Sequence, residues 1–374
     1  MRAWVVGVAV ALACAAPCAA APTAVDGWPV RAPAGSAHRG PGGGAVVASS
    51  SAFDAFEYTV SAYRLDGRRR WVNRKRAGCG NCDEGTQPVR RQADGTYGLI
   101  GVTGDDYWSV SQAGRRVPGC TGAVLPDGTC IAIEFPRAPP SFDPHPALAA
   151  RRGGAVLWSL AEPDLIWSPE FDVAPFAVRD GSGTAYAAYA PETDEGRLVA
   201  ADAATGGLRA RTPGSFRIMG ATADAALALE GSSLVAVGAD GVRRWSTAIG
   251  RPFIFPQDVI VDRARERAYV GRRLGNSWRT TAFDTGDGSV LWRSPAGQSL
   301  RPLSLAQGGL LLAGVVQGGT NALRSLGLDG LPRWTFRTAG EVVGARELTG
   351  RTVVVSTNRG DGTGPLWRID PLRR

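Results

Sequence analysis

Thr281-Ala282-Phe283-Asp284-Thr285-Gly286-Asp287-Gly288-Ser289-Val290-Leu291-Trp292 contains an apolar run, an Asp, a Gly-rich turn and a Trp. The same order returns in Leu326-Gly327-Leu328-Asp329-Gly330-Leu331-Pro332-Arg333-Trp334 and in Val237-Gly238-Ala239-Asp240-Gly241-Val242-Arg243-Arg244-Trp245. It returns again in Tyr63-Arg64-Leu65-Asp66-Gly67-Arg68-Arg69-Arg70-Trp71. A longer copy keeps Asp202, Thr205 and Gly206 and places Ala210 at the Trp phase. Two further copies end at Trp158, where the Asp is lost, and at Val117, where the Trp is lost. The chemistry of each copy is that of a strand, a tight turn and a second strand. Gly supplies positive φ, Asp bonds its own backbone, and the Trp offers a large flat surface to a neighbour.

The Trp-phase positions 71, 117, 158, 210, 245, 292 and 334 are spaced by about 44 residues on average, the period of a four-stranded propeller blade. The C-terminus supplies one more copy, Leu366-Trp367-Arg368-Ile369-Asp370, which ends before any Trp. Asp26-Gly27-Trp28-Pro29 near the start looks like its missing half. The expectation is therefore an all-β, eight-bladed β-propeller of four-stranded antiparallel blades. The N-terminal strand near Trp28 pairs with the C-terminal blade and closes the ring, which removes long exposed strand edges. The 50 Gly and 25 Pro among 374 residues agree with this, because they leave little room for long helices.

The copies around Asp202 and Asp284 match best the motif of the PQQ-like (quinoprotein dehydrogenase-like) β-propeller repeat family, which the chain resembles over nearly all residues after 26. That family includes quinone-cofactor dehydrogenases and non-enzymatic scaffolds of the BamB-like branch. The dehydrogenases carry adjacent cysteines beside the cofactor, and this chain has no Cys-Cys pair. They are also longer, whereas most units here are near minimal length. The resemblance thus implies the non-enzymatic branch, with no catalytic, cofactor or metal residue assigned and no cofactor expected. The alternative it leaves is a PQQ- and calcium-dependent oxidoreductase. On this reading Asp66, Asp202, Asp240, Asp284, Asp329 and Asp370, with Trp28, Trp71, Trp158, Trp245, Trp292 and Trp334, are blade-motif residues.

Residues 1–21 have the layout of a secretory signal peptide. Arg2 precedes a short apolar run, and Ala-rich sequence follows to Ala21. The propeller is expected over residues 22–374, secreted or in the periplasm or cell envelope, with no transmembrane segment in the mature chain. A lipoprotein or an uncleaved anchor are the weaker alternatives. Cys79, Cys82, Cys120 and Cys130 lie beyond that segment, and an even number in an exported protein suggests disulfides. Three connectivities are open. The turn signal Leu125-Pro126-Asp127-Gly128 favours Cys120 with Cys130, leaving Cys79 with Cys82 as a small ring.

The formal charge is +8, and with a single Lys nearly all the positive charge is Arg. Arg69-Arg70, Arg115-Arg116 and Arg243-Arg244 share one phase just before the Trp, and Arg151-Arg152 lies near the same turn. Equal phase implies a basic band around the ring. Arg90 and Arg91 sit in the Cys-bearing insertion 77–98, and a second insertion covers 117–150. These arginines are the candidate binding residues. The expected partner is a protein or an anionic cell-envelope polymer held by screened electrostatics. Nucleic acid is not expected, because the basic stretches lack aromatic stacking platforms. A monomer acting as a binding or scaffold module is expected.

Overall fold

The computed structural model describes residues 21–51, 56–77, 87–100, 108–120, 122–134, 146–162, 177–189, 196–250, 258–275, 277–294, 299–306, 308–316, 319–348 and 351–371. Cys79 and Cys82 lie outside them, as does most of the expected signal peptide. The described chain is built from strands in successive antiparallel meanders. The unit that ends at Trp71 runs Ser36–Arg39, Ala45–Ser51, Phe56–Tyr63 and Arg69–Ala77, from inner to outer strand. The units carrying Val117, Trp158, Ala210 and Trp245 repeat that order in four-stranded sheets. The Trp292 and Trp334 units are two more such meanders, joined by one parallel contact between Trp278 and Ser299. The last unit holds Glu341–Glu347, Val353–Asn358 and Thr363–Asp370. Its outer position is filled from the other end of the chain. Val30–Pro33 pairs with Thr363–Asp370 in the register Val30 to Leu366, and Thr23–Ala24 extends the pairing to Asp370 and Ile369.

The core lies between the sheets. One apolar cluster joins Val46, Ala48 and Val60 of the Trp71 unit to Tyr97 and Val110 of the Val117 unit. Others join the Trp158 to the Ala210 unit and each later unit to the next, up to the last. The cluster of Val354 and Leu366 with Ala37, Ala45, Val47 and Trp28 brings the last unit against the first. Sheets such as that of the Trp245 unit are thereby covered on both faces, so the inner strands read as nearly continuous small and aliphatic residues such as Ala225-Ala226-Leu227-Ala228-Leu229. The molecule is an all-β β-propeller.

The Trp phase has a specific job in this packing. Four of these indoles reach the third-to-fourth-strand turn of the next unit and donate Nε1–H to a carbonyl there. Trp71 bonds Gln112 (3.2 Å), Trp158 bonds Ala203 (3.2 Å), Trp245 bonds Thr285 (2.8 Å) and Trp292 bonds Leu328 (2.9 Å). Trp28 does the same across the chain termini, to Leu65 (3.0 Å). The turn glycine lies flat on the indole. Gly288 has φ +74°, and a Cβ there would stand 2.5 Å from Trp245 Cε3. At the decayed copy the ring is gone, but Thr212 Oγ1 still bonds Gly241 O (3.0 Å), as Thr247 Oγ1 bonds Gly288 O (2.8 Å) where the Trp is kept. Trp334 is packed into the apolar cluster shared with the last unit.

The turn aspartates form two geometries, which the sequence pattern merges into one. Asp66, Asp240 and Asp329 each stand just before the turn Gly and accept from the backbone N–H two residues on (3.0, 3.1 and 3.0 Å). Asp202 and Asp284 open longer turns, and Asp287 takes the pre-Gly place in the second. The Asp202 carboxyl is lowered to about 2, chiefly by the hydrogen bond from Arg209 and then by the Thr205 backbone N–H. Asp370 pairs with Thr23 within the closing sheet.

Cys120 and Cys130 form a disulfide with a Cα–Cα distance of 5.6 Å, across the turn at Leu125–Gly128. By loop entropy, closing so short a loop stabilises by about 3 kcal/mol. A Cys120→Ala/Cys130→Ala protein is expected to lose about that much in a urea titration. A loss below about 0.5 kcal/mol would show that the bridge only decorates the Trp158 unit.

Candidate functional site

Equal phase does not give the arginine pairs equal surroundings. Arg243 donates Nε–H to Glu230 Oε2 (2.8 Å) and lies over the Phe216 ring, 5.2 Å from its centroid. The Glu230 hydrogen bond raises its pKa further. Arg244 pairs with Asp240 at 3.3 Å. Arg151 pairs with Glu134 and Arg152 with Asp127, on the strand before the turn rather than after it. The Trp158 and Trp245 units therefore carry arginines whose charge is locally balanced, and the expected continuous basic band is interrupted there.

The Trp71 and Val117 units are different. Arg64, Arg68, Arg69, Arg70 and Arg115 are all exposed. None of them forms an ion pair among the described residues, and Asp66 is the one acidic side chain within their turn. The two units are locked together beneath them. Trp71 holds the Ser111–Gly114 turn, Asn73 Nδ2 donates to Gly114 O (3.1 Å), and Arg116 Nε donates to Asn73 Oδ1 (3.1 Å) and its other end to Arg74 O. The guanidiniums thus stand on a fixed wall, along the outer edge strand Arg69–Ala77 and the start of Arg116–Pro118. Leu65 and Val72 are exposed among them, at 41% and 38%. Charged residues on an outer strand also discourage edge-to-edge pairing with other chains.

Arg90 and Arg91 are not on this wall. They end the inner strand Gln87–Arg91, where Arg91 stands opposite Tyr97 and Arg90 opposite Gly98. The structure thus brings Arg69, Arg70, Arg115 and Arg116 together and leaves Arg90, Arg91, Arg243 and Arg244 elsewhere.

A further charged cluster has no counterpart in the sequence reading. Glu162, 1% exposed, accepts from Arg211 (Nη2 to Oε1, 3.0 Å) and Arg197 (3.3 Å) across the boundary between the Trp158 and Ala210 units. The Tyr189 hydroxyl beside it is buried without a hydrogen-bond partner, and burial, then the Glu162 charge, push its pKa upward. Nothing in the repeat marks Glu162, because its burial comes from the neighbouring sheet. Among the described residues no group of three or more His, Cys, Asp or Glu is placed to hold a metal, and no helix is long and apolar enough to cross a membrane.

No protein-family model and no curated sequence matches the chain. Among solved structures it is similar to the Neurospora crassa Pan2 WD40 domain, at 10% identity and TM-score 0.46, over 91% of this chain and 90% of that one. It is similar also to virginiamycin B lyase from Staphylococcus aureus, at 11% identity and TM-score 0.45, over 92% and 99%. A third is BBS1N, solved in complex with ARL6DN, at 12% identity and TM-score 0.43, over 94% and 98%. The fold assignment itself rests on the strand order and register described above.

Proposed function

We propose that this chain is an exported, non-enzymatic, eight-bladed propeller of the PQQ-like type, serving as a scaffold that binds an anionic cell-envelope polymer. The observation that carries the reading is the wall of Arg64, Arg68, Arg69, Arg70 and Arg115, five guanidiniums without ion-pair partners among the described residues, on two interlocked units. Guanidinium is weakly hydrated and forks onto carboxylate or phosphate, so a cluster of them across the edge strand, its turn and the neighbouring unit suits a linear polyanion. The count of eight is supported by the repeat period and by the pairing of Val30–Pro33 with the last strand. Export is supported by the layout of residues 1–21 and by the Cys120–Cys130 bridge, since disulfides persist in oxidising compartments.

Retention on immobilised polygalacturonate tests the wall. The Arg69→Glu/Arg70→Glu/Arg115→Glu protein is expected to elute at much lower salt than the parent. Arg243→Glu/Arg244→Glu should shift elution far less, because those charges already have carboxylate partners. Equal shifts from the two variants would mean that net charge, not the wall, governs binding.

A further inference from the structure

The inner strands Glu341–Glu347, Ser36–Arg39 and Gln87–Arg91 lie side by side, where the last unit meets the first and the first meets the Val117 unit. Arg346 stands opposite Val354, whose side chain belongs to the cluster shared with the Trp71 unit. Arg346 therefore leaves its sheet on the face turned toward that unit. Arg91 stands opposite Tyr97, which packs on the Trp71 unit from the other side and donates its hydroxyl to Arg39 O (2.8 Å). Both arginines are near the ends of their strands, so the two side chains approach the inner edge of Ser36–Arg39 from opposite flanks.

Arg346 is open to solvent yet crowded by protein. It donates no hydrogen bond and forms no ion pair among the described residues. The crowding lowers its pKa, the Arg91 charge lowers it further, and Glu347 acts in the opposite sense. Arg39 adds a third positive charge on the strand between them and is likewise exposed. Of the described charged or titratable groups nearby, two already have partners. Asp94 accepts from Thr96 (2.9 Å) and His38 contacts Ser36 (3.2 Å) and the Tyr97 ring. Arg91 and Arg346 thus flank one strand, both reachable by water, and neither is paired with a carboxylate among the described residues, so their like charges oppose each other in the empty state. An oxyanion between them would reverse the sign of that interaction, with forked donors on both sides.

We propose that Arg91 and Arg346 form a binding site for a small oxyanion, phosphate or carboxylate, at the inner rim of the propeller. The site goes beyond the outer-wall reading and does not depend on it.

The test is thermal melting and calorimetric titration of the full chain with inorganic phosphate, and separately with succinate, against chloride at matched ionic strength. A saturable rise in Tm with either anion is expected, since a ligand of the folded state must stabilise it. Which anion is stronger tells a phosphate site from a carboxylate site. Arg346→Gln and Arg91→Gln should each weaken binding by about tenfold or more, the value of one charge-assisted hydrogen-bonding group. Without anion, Arg346→Gln should melt no lower than the parent, because a repulsion has been removed. The wall variant Arg69→Glu/Arg70→Glu/Arg115→Glu should keep the full anion response, which separates the two sites. No saturable response to either anion, or an undiminished response in Arg91→Gln, would overturn the proposal. Arg91→Gln also decides the matter should Arg346→Gln not fold.

Discussion

Replacing Trp245 by Ala lowers the stability of this protein by about 3–5 kcal/mol, the range for removing a large buried aromatic side chain. The ring is 8% exposed and sits in the cluster with Leu227, Leu234 and Phe283. It also covers Gly288 and donates to Thr285 O, so its loss uncovers a turn of the next unit as well as its own core. Trp245→Phe should retain most of the burial and lose the hydrogen bond, a cost nearer about 1 kcal/mol plus a small cavity. Gly288→Ala attacks the same contact from the other side, since the added Cβ meets the indole and positive φ disfavours Ala. Denaturant unfolding of the three variants measures this. A Trp245→Ala cost near that of an exposed substitution would mean that the indole is a passenger and that the sheets are held by their aliphatic faces alone.

A chain that starts at residue 34 instead of 22 is expected to lose cooperative folding. The missing segment contains Val30–Pro33 and Thr23–Ala24, both hydrogen-bonded to Thr363–Asp370. It also contains Trp28, 7% exposed, which donates to Leu65 and packs with Val354, Leu366 and Tyr63. Without it the strand Thr363–Asp370 becomes an open edge whose unpaired backbone groups invite other chains. Light scattering and melting of the two chains separate the outcomes: aggregation and a broad, early transition are expected for the shorter chain. A shorter chain that melts sharply within a few degrees of the longer one would show that the first and last units do not depend on the pairing. Trp28→Ala in the longer chain isolates the indole and should cost less than the truncation.

The repeat itself was legible because its chemistry is local. Gly67, Gly241 and Gly330 need positive φ within their own turns, and an Asp beside each bonds the next backbone N–H. Such requirements recur wherever the turn recurs, so period, strand order and the outer position of the Trp all follow from the chain alone. The split between the Asp66 and Asp202 turn types was hidden, because both place an Asp before a Gly and differ only in which backbone donors the carboxylate meets.

The site was much less legible, for a physical reason visible in the arginine pairs. Arg69-Arg70 and Arg243-Arg244 occupy the same phase before a Trp, and nothing in those segments distinguishes them. What separates them is Glu230, thirteen positions away in sequence and on the same sheet face as Arg243. Arg91 and Arg346 stand far apart in sequence and come to flank one strand, Ser36–Arg39, only because the last unit closes on the first. Glu162 gains its burial from a neighbouring sheet. Periodic turn chemistry and the Trp spacing are properties of single segments, and they lie in the chain's order of residues. Which charges are balanced, and which are left to meet a ligand, depends on side chains from separate strands, and only the folded ring brings those together.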